Sequence, residues 1–232
     1  MKDTGDLFDQ YAAAYEDALS NAIAPSGEDR EYFAKGRVAW LKRCLDQLNQ
    51  STRTVMDFGC GDGATTPLLL DQLKAEMVVG VDVSVKSLEI ARKLHATGRI
   101  RYESLDELRE AGQMDLAYCN GVFHHIPPPQ RAEALALVSG ALRIGGFFSF
   151  WENSPWSLAT RYVMSRCAFD RDAILLTPPE ARKLLRDGGF KILRTDYRFI
   201  FPRALRALRK TEDLLHRMPL GAQYQVLCCK IR

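Results

Sequence analysis

No C-x-x-C pair occurs in this sequence. Its six cysteines (Cys44, Cys60, Cys119, Cys167, Cys228, Cys229) are scattered, the last two adjacent in an apolar run, so neither a zinc knuckle nor a disulfide framework is spelled out. Reduced thiols in a cytoplasmic protein are the expectation. No stretch approaches the ~18 uninterrupted apolar residues of a membrane-spanning helix, and the opening MKDTGDLFDQY lacks the apolar core of a secretion signal. Charge of one sign is also missing: 32 basic and 29 acidic residues leave +3, too balanced for the electrostatic footprint of a nucleic-acid binder. A small molecule is the expected partner. Internal repeats and low-complexity tracts are absent as well, and the 232 residues, 47% hydrophobic, can bury one substantial core.

What is present reads as alternating strands and helices. Apolar residues at helical spacing (Leu7, Phe8, Tyr11, Tyr15, then Val38, Leu41, Leu45, Leu48) flank a polar stretch broken by Pro25 and Gly27, which predicts two helices ahead of the main fold. A short apolar run at 54–58 leads into glycines, 64–73 is helical in pattern, and MVVGVDV at 77–83 is rich in β-branched residues. The alternation continues with a helix at 84–95, strands at 100–103 and 114–120, a helix at 129–142 and a strand at 146–151. Thr177, Pro178 and Glu180 spell a capping box, Gly188-Gly189 a helix stop, and strands are predicted at 190–197 and 224–231. This order implies a parallel sheet covered by helices on both faces.

The stretch MDFGCGDGATT, residues 56–66, falls at the first strand-to-helix turn, where cofactors bind in such sheets. Gly59, Gly61 and Gly63 permit close backbone approach. A loose dinucleotide fingerprint is satisfied, but Asp57 would meet a pyrophosphate with like charge, and at an effective dielectric of ~20 two unit charges ~4 Å apart repel by about 4 kcal/mol. The same carboxylate attracts a ligand with an ammonium and a sulfonium, whose own carboxylate would use free amides of the loop and helix start. S-adenosylmethionine is that ligand. Asp82, ending MVVGVDV, is placed to accept hydrogen bonds from ribose hydroxyls. The bland readings are a strand-end loop acid for Asp57 and a helix N-terminal acid for Asp82.

VMDFGCGDG, then VVGVDVS, then MDLAYCNGVFHHIP together resemble the core of the class I S-adenosylmethionine-dependent methyltransferases, in their ubiquinone-biosynthesis-like small-molecule branch. The resemblance runs over about residues 38–197. It implies a Rossmann-like, seven-stranded, mostly parallel sheet with helices on both faces and one antiparallel strand near the C-terminus, here 224–231. It also implies that Gly59, Cys60 and Gly61 contact the methionyl part through backbone, that Asp57 lies near its amino group, and that Asp82 with Val83 takes the ribose. Ser104 and Leu105 would flank adenine, without the acid relatives often carry there, and Asn120 would lie under the sulfonium. Arg37 resembles an arginine used against the cofactor carboxylate; a solvated arginine is the other reading. Nucleobase-amine methyltransferases place prolines after the Asn or Asp at this strand end, which Asn120-Gly121-Val122-Phe123 lacks, so a nucleobase acceptor is not expected.

Methyl transfer is an in-line displacement that needs alignment, exclusion of water and, for some nucleophiles, a base. His124 or His125 is the candidate base; packing under the cofactor is the alternative. No metal is expected, because two adjacent histidines have no further ligand nearby in sequence. Residues 1–50 are expected to cap the cofactor site, with Tyr11 and Tyr15 on one helix face as a lid or a packing stripe. Residues 51–232 form the cofactor-binding domain, with an insertion at 154–176 supplying the acceptor pocket. There Trp156, Tyr162, Met164 and Phe169 offer an apolar lining, and Arg161, Arg166 and Arg171 would suit an acidic acceptor. Residues 203–219 read as a basic amphipathic helix, with Leu205, Leu208 and Leu215 on one side, packed on the sheet or contacting a membrane that holds a lipid-like acceptor. The expected activity is methyl transfer to oxygen or nitrogen of a small molecule. A NAD(P)-dependent oxidoreductase and a non-catalytic S-adenosylmethionine-binding protein are the rivals.

Overall fold

The computed structural model describes residue 9 and residues 15–108, 111–167, 170 and 172–232, the side chains of 15–18 excepted. Seven strands form one sheet: β1 (Thr54–Phe58), β2 (Met77–Asp82), β3 (Ile100–Ser104), β4 (Met114–Asn120), β5 (Leu142–Asn153), β6 (Phe190–Arg198) and β7 (Gln223–Lys230), in the order β3-β2-β1-β4-β5-β7-β6. All run parallel except β7, which lies antiparallel between β5 and β6. The chain places β2 and β4 on opposite sides of β1, so the order reverses there and a crevice opens at the carboxyl ends of β1 and β4.

Side chains alternate along a strand, and the sheet is covered accordingly. On one face Met56, Phe58, Ala117, Cys119, Phe148 and Phe150 join a core with helices α5 (Arg131–Ala141) and α7 (Pro178–Asp187). On the other, Val55, Val78, Leu116, Tyr118 and Trp151 pack against α2 (Arg30–Gln47), α3 (Thr66–Leu73) and α4 (Val85–His95). Period two therefore sends the carboxylate of Asp57 to the α2 and α3 face, beside Tyr118. A helix α1 (Tyr15–Ile23) precedes α2, whose N-cap Asp29 accepts from the Tyr32 amide. The capping box at Thr177 forms as spelled: the Glu180 amide donates to Thr177 Oγ1 and the Thr177 amide to Glu180 Oε2.

Two expectations need correction. Residues 203–219 are not one amphipathic α-helix: a 3-10 run, Arg203–Thr211, kinks at Leu205 and is followed by a four-residue helix, α8 (Glu212–Leu215). Nor does the run pack on the sheet, since none of its residues is buried and Leu205 and Leu208 are exposed. The physical reason is the buried Glu212, whose Oε1 accepts from the amides of Ile200 and Phe201; the turn it caps holds the run away from the core. Within the insertion a helix α6 (Leu158–Arg166) buries only Thr160 and Met164. Trp156 lies outside the pocket, stacked on Tyr197 at 6.3 Å and 28°. Tyr11, Phe169 and Arg171 lie outside the described residues, as does the side chain of Tyr15.

Candidate functional site

A cavity of about 390 Å³ occupies the crevice. It is lined by the glycine loop with Asp57, Gly59, Cys60, Gly61 and Asn120, by an aromatic wall of Tyr32, Phe33, Phe199, Phe201 and Tyr162, and by His124, His125 and Asp170. The loop conformation explains its glycines at one position above all. Gly59 has φ +73°, and a Cβ there would sit 2.2 Å from Val122 Cγ2, so only glycine fits.

Hydrogen bonding in the loop corrects one expectation. The amides of Gly59 and Cys60 both donate to the Val81 carbonyl, Gly61 donates to Asp82 Oδ2 at 2.8 Å, Gly63 to the Cys60 carbonyl and Ala64 to Asp62 Oδ1. Those five amides are thus committed within the protein rather than free for an anion. An incoming carboxylate must look to arginine, and Arg37 is suitably placed: it is buried, so the solvated reading fails, and it lines the cavity while donating to Tyr118 Oη and Gln223 Oε1, each at 3.0 Å. Arg30 pairs in bidentate fashion with Asp62 and ties the start of α2 to the glycine loop.

Asp57 is buried, its Oδ2 accepting from Thr66 Oγ1 at 2.8 Å. Desolvation lifts its pKa to about 7 against the help of that bond, with Asp82 adding repulsion. A ligand ammonium would restore the charged form. Asp82, at the tip of β2, also has its pKa raised by burial, opposed by the amides of Ser84 and Gly61. Asp82 pairs in register with Ser104 of β3, so Val83, Ser104 and Leu105 stand at one edge beside it, outside the cavity proper. The Ser104 amide is taken by Glu107 Oε2 at 2.8 Å; the acid missing at position 104 returns three residues later. Asn120 Oδ1 is buried with no partner among the described residues. Paired carboxylates, committed amides, a buried arginine and an orphaned amide oxygen make a donor set that fits a cationic sulfur nucleoside with an amino-acid tail.

Past Asn120, a 3-10 turn, Phe123–His125, brings the histidines to the cavity. His124 is buried, its Nδ1 2.5 Å from Glu152 Oε2 on β5. Burial alone would lower its pKa, but Glu152 and Asp170 outweigh it and hold the pKa above the ordinary value. His125 moves the other way, through burial and then the charge of His124. Two touching imidazoles, 4.1 Å between centroids, do not both carry charge. Asp170 Oδ1 lies 3.5 Å from His124 Nε2 and 3.4 Å from His125 Nε2, so the premise that the pair has no further ligand nearby does not hold in three dimensions. Glu152 and Asp170 escaped the sequence reading. An acid ending the apolar run FSFWE was a usable signal for the first; nothing local marked the second. Of the insertion residues, Tyr162 and Met164 line the cavity, whereas exposed Arg161 lines a shallow groove beside it with Arg166.

Residues 55–146 match the model of a methyltransferase domain. A carboxy-S-adenosyl-L-methionine synthase from Campylobacter curvus is 39% identical over 149 residues, covering 62% of this chain and 60% of that protein. A ubiquinone biosynthesis O-methyltransferase from Bordetella avium is 31% identical over 129 residues, 52% of this chain and 51% of its own. The chain thus spans less than two thirds of the length of these curated relatives. Among solved structures, a S-adenosylmethionine-dependent methyltransferase from Thermotoga maritima superposes with a TM-score of 0.65 at 18% identity, over 98% of this chain and 99% of that one. Residues 55–146 are thus similar to a methyltransferase domain, and the strand order and the superposition show the Rossmann-like fold of the solved S-adenosylmethionine-dependent methyltransferases.

Proposed function

We propose that the chain transfers a methyl group from S-adenosylmethionine to an oxygen or nitrogen atom of a small molecule held against the aromatic wall of the cavity. The observation that carries this reading is the continuity of that cavity: the loop with Asp57 and Asn120 and the pair His124–His125 line one enclosure. S-adenosylmethionine supplies an electrophilic methyl on sulfur; the acceptor lone pair forms the new bond to carbon as the carbon–sulfur pair returns to sulfur. Asp57 holds the amino group, Arg37 the carboxylate, Asp82 and Val83 the ribose, with Ser104 and Leu105 beside the adenine and Gly59, Cys60 and Gly61 approaching through backbone. Asn120 faces the transferring centre. The histidine pair activates the acceptor, and Tyr162 with Tyr32, Phe33 and Phe199 shields it from water.

The resemblance to the ubiquinone-biosynthesis-like branch supports a hydrophobic acceptor, as does the aromatic wall. Residues 1–50 act as a cap, tied to the loop through Arg30 and Asp62. The exposed leucines of 203–219, beside Arg203, Arg206 and Lys210, support peripheral contact with anionic lipid. Against a nicotinamide cofactor stands the commitment of the loop amides, which leaves a diphosphate facing Asp57. A screen of phenols, carboxylic acids and amines with methyl-labelled S-adenosylmethionine tests the proposal: label should appear in one acceptor class. Binding of labelled donor with no product in any class would reduce the chain to a binding protein, and displacement of the donor by a nicotinamide dinucleotide would reject the reading.

A further inference from the structure

The cluster His124, His125 and Asp170 is joined by long contacts. The imidazole Nε2 atoms stand 3.5 and 3.4 Å from Asp170 Oδ1, beyond the usual 2.7–3.2 Å range of an N–H···O bond. Donors bound about 2.0–2.1 Å from a tetrahedral ion lie roughly 3.3–3.5 Å apart. Both imidazole-to-carboxylate separations match that edge, and all three donor atoms fall within 4.8 Å of one another.

The arrangement around the cluster is that of a metal centre as well. Glu152 Oε2 lies 2.5 Å from His124 Nδ1, and its Oε1 accepts from the Phe123 amide at 2.8 Å. A carboxylate behind one ring nitrogen fixes the tautomer and turns the other nitrogen forward as a ligand. Forward is toward Asp170. Two imidazoles and a carboxylate form a set that suits zinc-like divalent ions, and three protein donors leave a position for a substrate atom.

We propose that His124 Nε2, His125 Nε2 and Asp170 bind a zinc-class divalent cation, positioned by Glu152, in the acceptor half of the cavity. The inference rests on the acceptor site proposed above and names how the histidine pair activates the acceptor: the cation binds an acceptor hydroxyl oxygen and lowers the cost of releasing its proton to solvent before that oxygen attacks. An oxygen acceptor is thereby favoured over an amine. After the displacement, the methylated oxygen is a weaker ligand and leaves.

The test uses the full chain, stripped with chelator and titrated with Co²⁺ alone, read by visible d–d absorption and by calorimetry. One ion per chain is expected, with the absorption of a four- or five-coordinate site. Asp170→Asn and His125→Ala should each weaken binding by at least about tenfold, and Glu152→Gln by about 10- to 100-fold. S-adenosylmethionine affinity, measured on the same variants, reports that the fold survives. No stoichiometric Co²⁺, or Co²⁺ held as tightly by Asp170→Asn as by the parent, overturns the proposal. Co²⁺ binding needs no acceptor and no donor, so its failure is distinct from failure of methyl transfer.

Discussion

Glu152 backs His124 across the sheet edge: Oε2 meets Nδ1 at 2.5 Å, and both side chains are at most 2% exposed. A buried carboxylate at the end of FSFWE is costly unless satisfied, and here both its oxygens have partners. Glu152→Ala should therefore destabilise the fold by about 3–5 kcal/mol, as measured by urea unfolding. Glu152→Gln retains an acceptor for the Phe123 amide and should lose much less stability. A Gln variant as unstable as the Ala variant would show that the charge, and not the acceptor, holds the turn.

Asp57 couples ligand affinity to pH. Its pKa is about 7 in the ligand-free protein, against an ordinary value of 3.8, so the native state keeps a proton that the unfolded chain releases above 3.8. Stability from this group is complete below 3.8 and is lost as pH rises to about 7. Asp57→Asn should then stabilise the ligand-free protein at pH 8 by on the order of 2–4 kcal/mol while weakening S-adenosylmethionine by about 100-fold or more. In the parent, affinity should fall about tenfold per unit as pH drops below about 7. Calorimetry across pH checks the slope, and a flat profile would separate Asp57 from the amino group.

Gly59→Ala should cost about 1–3 kcal/mol for the φ of +73° alone, plus the clash with Val122. The double variant Gly59→Ala with Val122→Ala should recover the steric part and not the backbone part. Thermal unfolding of these two variants and of Val122→Ala alone separates the two contributions.

His125→Ala should lower turnover by about 10²- to 10⁴-fold while leaving S-adenosylmethionine affinity nearly intact, because the side chain stands on the 3-10 turn beside Asp170 and not on the glycine loop. Equal turnover in the variant would take His125 out of the reaction.

Leu205, Leu208, Leu214 and Met218 are 45–83% exposed beside basic side chains. The chain should co-float with anionic vesicles at low salt and be released as ionic strength rises. Leu205→Glu with Leu208→Glu should abolish flotation. Absence of co-migration by the parent removes lipid contact from the account.

The βαβ start, the capping box at Thr177 and the last strand were legible because each is written locally, in β-branched or apolar runs and a Thr-x-x-Glu spacing, whereas the antiparallel sense of that strand came from the family resemblance. The 203–219 segment misled because leucines three apart suit a 3-10 turn as well as an α-helix, and the decisive group, Glu212, bonds to the preceding turn. The loop looked like an anion nest because sequence does not reveal that Val81 and Asp82 consume its amides. Asp170 joined the histidines only through tertiary folding; spacing along the chain carries no trace of it.

The placement of β7 has a consequence for how the domain is made. β5 and β6 are not neighbours; β5 pairs with β4 on one side and with β7 on the other, whereas β6 finds its partner in β7, which follows both along the chain. Until residues 223–230 are synthesised, β6 has no ladder at all and β5 shows a bare edge bearing Phe148 and Phe150. A nascent or truncated chain stopped short of Gln223 is accordingly a sticky, half-zipped intermediate, the form in which this domain is most exposed to aggregation and most in need of a chaperone.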